Sequence, residues 1–236
     1  MNIVLSLTTS NVCILSLQVV ARVRPQNAME KERSGTLAVK LTDTNIVVTN
    51  EDLQTIPFTF DKVFGMDSTQ KEVFEDTTMP LIADVLSGYN ATVFAYGQTS
   101  SGKTYTMEGA DIHSSESRGI VPRSLEQLFV GVDEAAATID FQFKVSYVEI
   151  YMEKIRDLLD NNRVKVNLSI REDKMRGIYI VDVTELDVIS NQEVLDLMAQ
   201  GAYNRATAAT GMNEGSSRSH SVFTVTVQQK DTAKGE

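Results

Sequence analysis

Residues 97–104 read GQTSSGKT, two glycines five positions apart followed at once by lysine and threonine. Gly97 and Gly102 free the backbone to curl, so that successive N–H groups turn inward and form a cradle for phosphate oxygens. Lys103 then reaches the outer phosphates as a point charge, and the Thr104 hydroxyl is placed to ligate Mg²⁺. The plain alternative is a Gly/Ser-rich turn, which at ordinary glycine usage would match this pattern in about one chain in a hundred of this length. The context favours the cradle. The loop directly follows the β-branched and aromatic stretch Thr92–Tyr96, which reads as a strand buried on both faces.

The rest of the chain supplies a frame for such a loop. Period-two patterning marks strands at Leu17–Arg24, Ile46–Thr49, Phe141–Tyr151, within Gly177–Ile189, and at Ser221–Val227. In the longest, Phe141, Phe143, Val145, Tyr147, Glu149 and Tyr151 share one face. Thr69 and Glu72 have capping-box spacing and open a helix expected to end at Gly88; Ser190 and Glu193 repeat the signature before EVLDLMAQGAYNR. Shorter helices are expected at RSLEQLFVGV from Arg123 and at EKIRDLL from Glu153, with a loop at Gly109–Gly119. Alternating strands and helices around a buried central strand predict an α/β sheet with helices on both faces. No internal repeat or heptad run is present.

Charge narrows the partners. The 236 residues carry a formal net charge of −10, so nucleic acid and anionic membrane gain nothing from generic attraction, and neither is expected as a partner. Cys13 is the single cysteine and His113 and His220 the only histidines, which excludes an internal disulfide and makes a zinc site improbable. The apolar start, residues 1–17, lacks the basic residues of a secretory signal, and no apolar run is long enough to span a bilayer.

A second constellation, NEGSSRSHS at 213–221, leads into the strand SVFTVTV. Ser216 and Ser217 could donate to a terminal phosphate or hold a metal's water shell, and Arg218 could balance developing charge. Taken alone, a Ser-rich turn is the commoner explanation.

Set in order, these blocks resemble the kinesin motor domain, and within it the conventional kinesin heavy chains. The resemblance rests on VVARVRP (19–25), FDKVF (60–64), GYNATVFAYGQTSSGKTYTMEG (88–109), SRGIVPR (117–123), VSYVEIYMEKIRDLL (145–159) and NEGSSRSHS. It covers nearly everything from about residue 17 onward, giving residues 1–16 as an atypical extension and 17–236 as a partial motor domain with a central mixed sheet. The resemblance implies an ATP- and Mg²⁺-dependent P-loop NTPase of the cytoplasmic cytoskeleton, stimulated by microtubules. Its phosphate loop would be Gly97, Gln98, Thr99, Ser100, Ser101, Gly102, Lys103 and Thr104. Arg22, Arg24, Pro25 and Tyr105 would wall the adenine side, although a solvated strand face and a surface aromatic explain them as well. Asn213, Ser216, Ser217 and Arg218 would form the first switch, Ser217 sharing the metal with Thr104. Lys154, Arg171, Lys174 and Arg176 would touch the acidic microtubule, against the even alternative of solvated surface cations.

Two departures remain. Residues 1–16 do not match the family's short polar leader. No Asp is followed three residues later by Gly, so the second switch is missing, and with it the main microtubule-binding helix and neck linker. The expectation is therefore a motor fragment that binds MgATP weakly, with its central strand left with an open edge. A non-motile nucleotide- or microtubule-binding module and an unrelated P-loop NTPase are the competing readings. Direction of travel, cargo and dimerisation through a coiled coil lie outside these residues.

Overall fold

The computed structural model describes residues 2–9, 16–33, 37–50, 52–135, 138–174, 177–210 and 219–232. They fall into two compact units, residues 1–131 and 132–236.

The first unit is organised by strand β2 (Ser16–Arg22), whose apolar alternation buries residues on both sides. Val20 packs with Phe64, Val73 and Ile120, while Ala21 and Val23 pack with Ile46 and Val63. The sheet runs β6 (Lys62–Phe64), β2, β1 (Asn2–Thr9), β7 (Asn90–Tyr96). β6 is parallel to β2, whereas β1 is antiparallel to both of its neighbours, which makes the sheet mixed. Residues 2–9, which the family pattern leaves unassigned, thus pair with β2 on one edge and with the whole of β7 on the other. On the Ala21 side lies an antiparallel sheet of β3 (Val39–Leu41), β4 (Asn45–Thr49) and β5 (Thr55–Thr59). The Val20 side is covered by residues of α2 (Gln70–Thr77), α4 (Lys103–Met107) and α5 (Ile120–Asp133). A short helix, α1 (Ala28–Glu32), follows β2.

Two expectations change here. The helix opened by Thr69 does begin with a full capping box to Glu72, but it stops at Thr77. A second helix, α3 (Met79–Leu86), starts with Pro80 in its first turn. Proline lacks the N–H that would continue α2 and fits only a first helical turn, so it divides the segment. β7 is also not buried on both faces: its residues alternate between exposed and half-buried, with Phe94 41% and Tyr96 68% exposed. β7 is the last strand of its sheet among the described residues, and the face that carries Phe94 and Tyr96 is left exposed.

In the second unit β8 (Ile139–Tyr151) is the spine. It pairs with β9 (Lys154–Asp157), β13 (Leu186–Val188) and, along twelve residues, β14 (His220–Asp231). β10 (Val166–Leu168) adds to β9, and β11 (Ile170–Asp173) with β12 (Gly177–Ile180) makes a separate hairpin. Helix α6 (Asn191–Thr210) packs on β8 and runs five residues past the expected end at Arg205. Phe143, Val145, Tyr147 and Glu149 are buried, as the period-two reading of this strand expects. The expected helix at EKIRDLL is instead strand β9. Met152 and Glu153 both take positive φ, 46° and 60°, which makes a two-residue hairpin turn between paired Tyr151 and Lys154. Ile155 and Asp157 are then buried at alternate positions.

Candidate nucleotide-binding site

β7 delivers the chain into the loop at Gly97. Ser100 has φ 63° and Gly102 φ 101°, the latter as the N-cap of α4, so the glycine occupies a left-handed position that a side chain would strain. The Ser101 N–H donates to Gln98 O at 3.2 Å, closing a turn inside the loop. Lys103 Nζ donates to Gly97 O at 2.7 Å and Gln98 O at 2.9 Å, which holds the ammonium within the curl of its own loop. Ser101 is 2% exposed and its Oγ has no hydrogen-bond partner among the described residues. Gln98, Thr99 and Thr104 are exposed. A fixed cation, an orphaned hydroxyl and a left-handed glycine turn fit a bound phosphate group. No three His, Cys, Asp or Glu side chains converge as a metal-holding group among the described residues.

The two arginines of RVRP do different work. Alternation along β2 puts Arg22 on the inward, Val20 side, where it is 7% exposed. Its guanidinium donates to Gln70 Oε1 (2.7 Å), Thr106 Oγ1 (3.0 Å) and Ser68 O (3.1 Å), and lies 5.2 Å from the centroid of the Tyr105 ring. Burial pulls its pKa below the ordinary arginine value. Arg24 instead reaches the phosphate loop, with Nε donating to Ser100 O at 2.8 Å. The other end of Arg24 forks onto both oxygens of Glu30 at 2.6 and 2.7 Å. Glu30 is also the back-bonding partner in the Asn27 capping box of α1. Pro25 is exposed beside them. Gln70 and Glu30 are absent from the sequence reading. Glu30 sits three residues after Asn27, a capping spacing that could have found it.

The Arg24 fork, helped by the Asn27 N–H, holds the Glu30 carboxyl down at about 2. A depressed folded-state pKa contributes stability above the unfolded carboxylate range and loses it as pH falls through the folded value. Acidification between about pH 4.5 and 2 should therefore release Arg24 from Glu30 and loosen its hold on Ser100. A carboxyl NMR titration of Glu30 checks this, and a midpoint near the model-peptide value would refute it.

Beyond α4 the chain turns back on itself. Gly109 and Arg118 form an isolated antiparallel bridge, Arg118 pairs with Glu126, and Arg123 donates to Arg118 O at 3.1 Å and Ser115 O at 2.6 Å. Gly109 has φ 99°, and a Cβ there would lie 2.2 Å from Ser117 O and 2.6 Å from Gly119 N. Both obstacles are backbone, so Gly109→Ala should destabilise the first unit by about 2–4 kcal/mol. Equilibrium urea unfolding measures it.

Of the second constellation, Asn213, Ser216, Ser217 and Arg218 lie outside the described residues. Ser219 and Ser221, which follow, are held by Arg205 of α6: Nη2 donates to Ser219 O (3.1 Å) and Oγ (3.0 Å), and Nη1 to Ser221 Oγ (3.1 Å). Arg205 Nε also donates to buried Glu149 at 3.2 Å, and Arg156 approaches the same carboxylate at 3.4 Å. Lys154 on β9, Arg171 on β11 and Lys174 in the turn after it are all exposed. Arg176 lies outside the described residues.

A glycine-cradled loop between strand and helix, carrying an inward lysine in an α/β unit, defines a P-loop nucleotide-binding protein. The kinesin motor domain family model matches residues 22–236, and the chain belongs to that family. It is 44% identical over 220 residues to a kinesin heavy chain of Botryotinia fuckeliana, covering 93% of this chain and 25% of that one. The kinesin-1 heavy chain of Homo sapiens is 44% identical over 217 residues, covering 92% and 22%. A solved structure of a fast kinesin superposes with TM-score 0.87 at 45% identity, covering 92% of this chain and 61% of that one. The chain thus spans about a quarter of the length of the curated relatives it matches.

Proposed function

We propose that this chain binds MgATP at residues 97–105 and is the nucleotide-handling part of a microtubule motor of the cytoplasmic cytoskeleton, a microtubule-stimulated ATPase. The observation that carries the reading is the Lys103 ammonium held inside the glycine loop, 2.7 Å from Gly97 O. The backbone of Gly97, Gln98, Thr99, Ser100, Ser101 and Gly102 would surround the phosphates, and Lys103 would neutralise the outer ones. Thr104 and Ser217 would hold Mg²⁺, which would supply positive charge to offset that of the terminal phosphates. Arg24, Pro25 and Tyr105 would border the base, with Arg22 behind the Tyr105 ring. Asn213, Ser216, Ser217 and Arg218 would orient the attacking water and balance charge, since phosphoryl transfer depends chiefly on positioning and electrostatics. Lys154, Arg171, Lys174 and Arg176 would meet the acidic microtubule surface.

The test is titration of the chain with a fluorescent ATP analogue, with and without Mg²⁺, alongside microtubule cosedimentation. The expected result is Mg²⁺-dependent binding and pelleting that weakens with salt. Absence of binding at millimolar nucleotide would overturn the nucleotide reading. Failure to pellet would overturn the partner.

A further inference from the structure

We infer that Gln70 is a positioning residue that holds the Tyr105 ring against Arg22 and so sets the grip on the nucleotide's base, an inference that rests on the nucleotide reading above. Gln70 is the first residue of α2, 3% exposed, and every side-chain function it has is engaged in a different direction. Its Oε1 accepts from Arg22 Nη1 at 2.7 Å; its Nε2 donates to Tyr105 O at 2.6 Å and Ser117 O at 3.2 Å. One amide thereby joins β2, the helix that follows the phosphate loop, and the Gly109–Gly119 turn.

The electrostatics explain why an amide is needed. Arg22 is buried, and none of its described hydrogen-bond partners is a carboxylate: they are the Gln70 amide, the Thr106 hydroxyl and the Ser68 carbonyl. A buried cation must find acceptors, and Gln70 supplies one while its NH₂ serves two carbonyls. A carboxylate in its place would still accept from Arg22 but would turn lone pairs toward Tyr105 O and Ser117 O. A hydrocarbon would leave all three partners short. Gln70 therefore fixes the backbone at Tyr105 from one side while Arg22 covers one side of the ring. The ring remains 47% exposed for a second, flat partner.

The experiment is calorimetric titration of the chain and its Gln70→Met and Gln70→Glu variants with MgATP and, separately, with magnesium tripolyphosphate, which has no base. Both variants should bind MgATP about tenfold more weakly while tripolyphosphate affinity changes less than about twofold. In a Tyr105→Ala background, where the ring is gone, Gln70→Met should add less than about a twofold further loss. Equal weakening toward both ligands would overturn the proposal, as would a full additional loss in the Tyr105→Ala background. It falls equally if neither Gln70 variant keeps a cooperative thermal transition, since Gln70 is then a fold determinant. A wild-type chain that binds neither ligand refutes the nucleotide reading itself, an outcome distinct from these.

Discussion

Lys103→Ala is expected to weaken MgATP binding by about 100-fold, the consequence of removing a charge-assisted contact to phosphate. In the folded chain the Lys103 ammonium is bonded to Gly97 O and Gln98 O, two carbonyls of its own loop. No hydrophobic cluster includes it, so its removal should leave the thermal midpoint nearly unchanged. Affinity and stability therefore separate, and that separation is the measurable signature. Lys103→Arg should not restore full affinity, because a larger planar guanidinium replaces the compact ammonium that the loop holds 2.7 and 2.9 Å from Gly97 O and Gln98 O. Titration with a fluorescent nucleotide and a thermal melt of the same samples measure both quantities. A variant that retains wild-type affinity would remove the phosphate role from this lysine.

Glu149→Ala should lower stability by about 3–5 kcal/mol, because it removes the buried carboxylate that faces Arg205, whose side chain is only 14% exposed. Arg156 loses the same partner but is 30% exposed and turns to water. For a chain of this size the loss corresponds to a fall in thermal midpoint of about 6–20 °C. The double change Glu149→Leu with Arg205→Met should recover most of that loss, since a buried ion pair costs nearly as much to desolvate as it returns. Calorimetric melts of the single and double variants decide it. If the double variant is as unstable as the single one, the network stabilises through the contacts of Arg205 to Ser219 and Ser221 and not through the ion pair.

Much of this was legible from residue patterns. The phosphate loop follows from Gly97, Gly102 and Lys103 because backbone freedom and charge are local properties. The same holds for the Thr69–Glu72 capping box, which forms as the spacing implies. Misreadings arose where a local pattern had two solutions. EKIRDLL has helix-forming composition, yet Met152 and Glu153 make a tight hairpin turn without the usual Asn or Gly, and pairing with β8 prevails over propensity. Pro80 was a visible breaker inside a convincing apolar period, and its missing N–H prevailed over the pattern.

The sequence by itself determined the chemistry available to this protein: a glycine loop with a lysine, two arginines before a proline, and a family signature from residue 22 onward. Those are short-range features, fixed by spacing and side-chain type. Only the tertiary structure decided how they are used. It placed Arg22 inside and Arg24 on the loop, although both lie on one strand-like run and would share one face of it, because β2 ends at Arg22 and Arg24 lies beyond the strand. It inserted residues 2–9 between β2 and β7, and brought Gln70, thirty-five residues upstream, to the carbonyl of Tyr105. Hydrogen-bond partners so distant in sequence have no signature in either segment alone, since each satisfies its polar groups only where the fold brings the other.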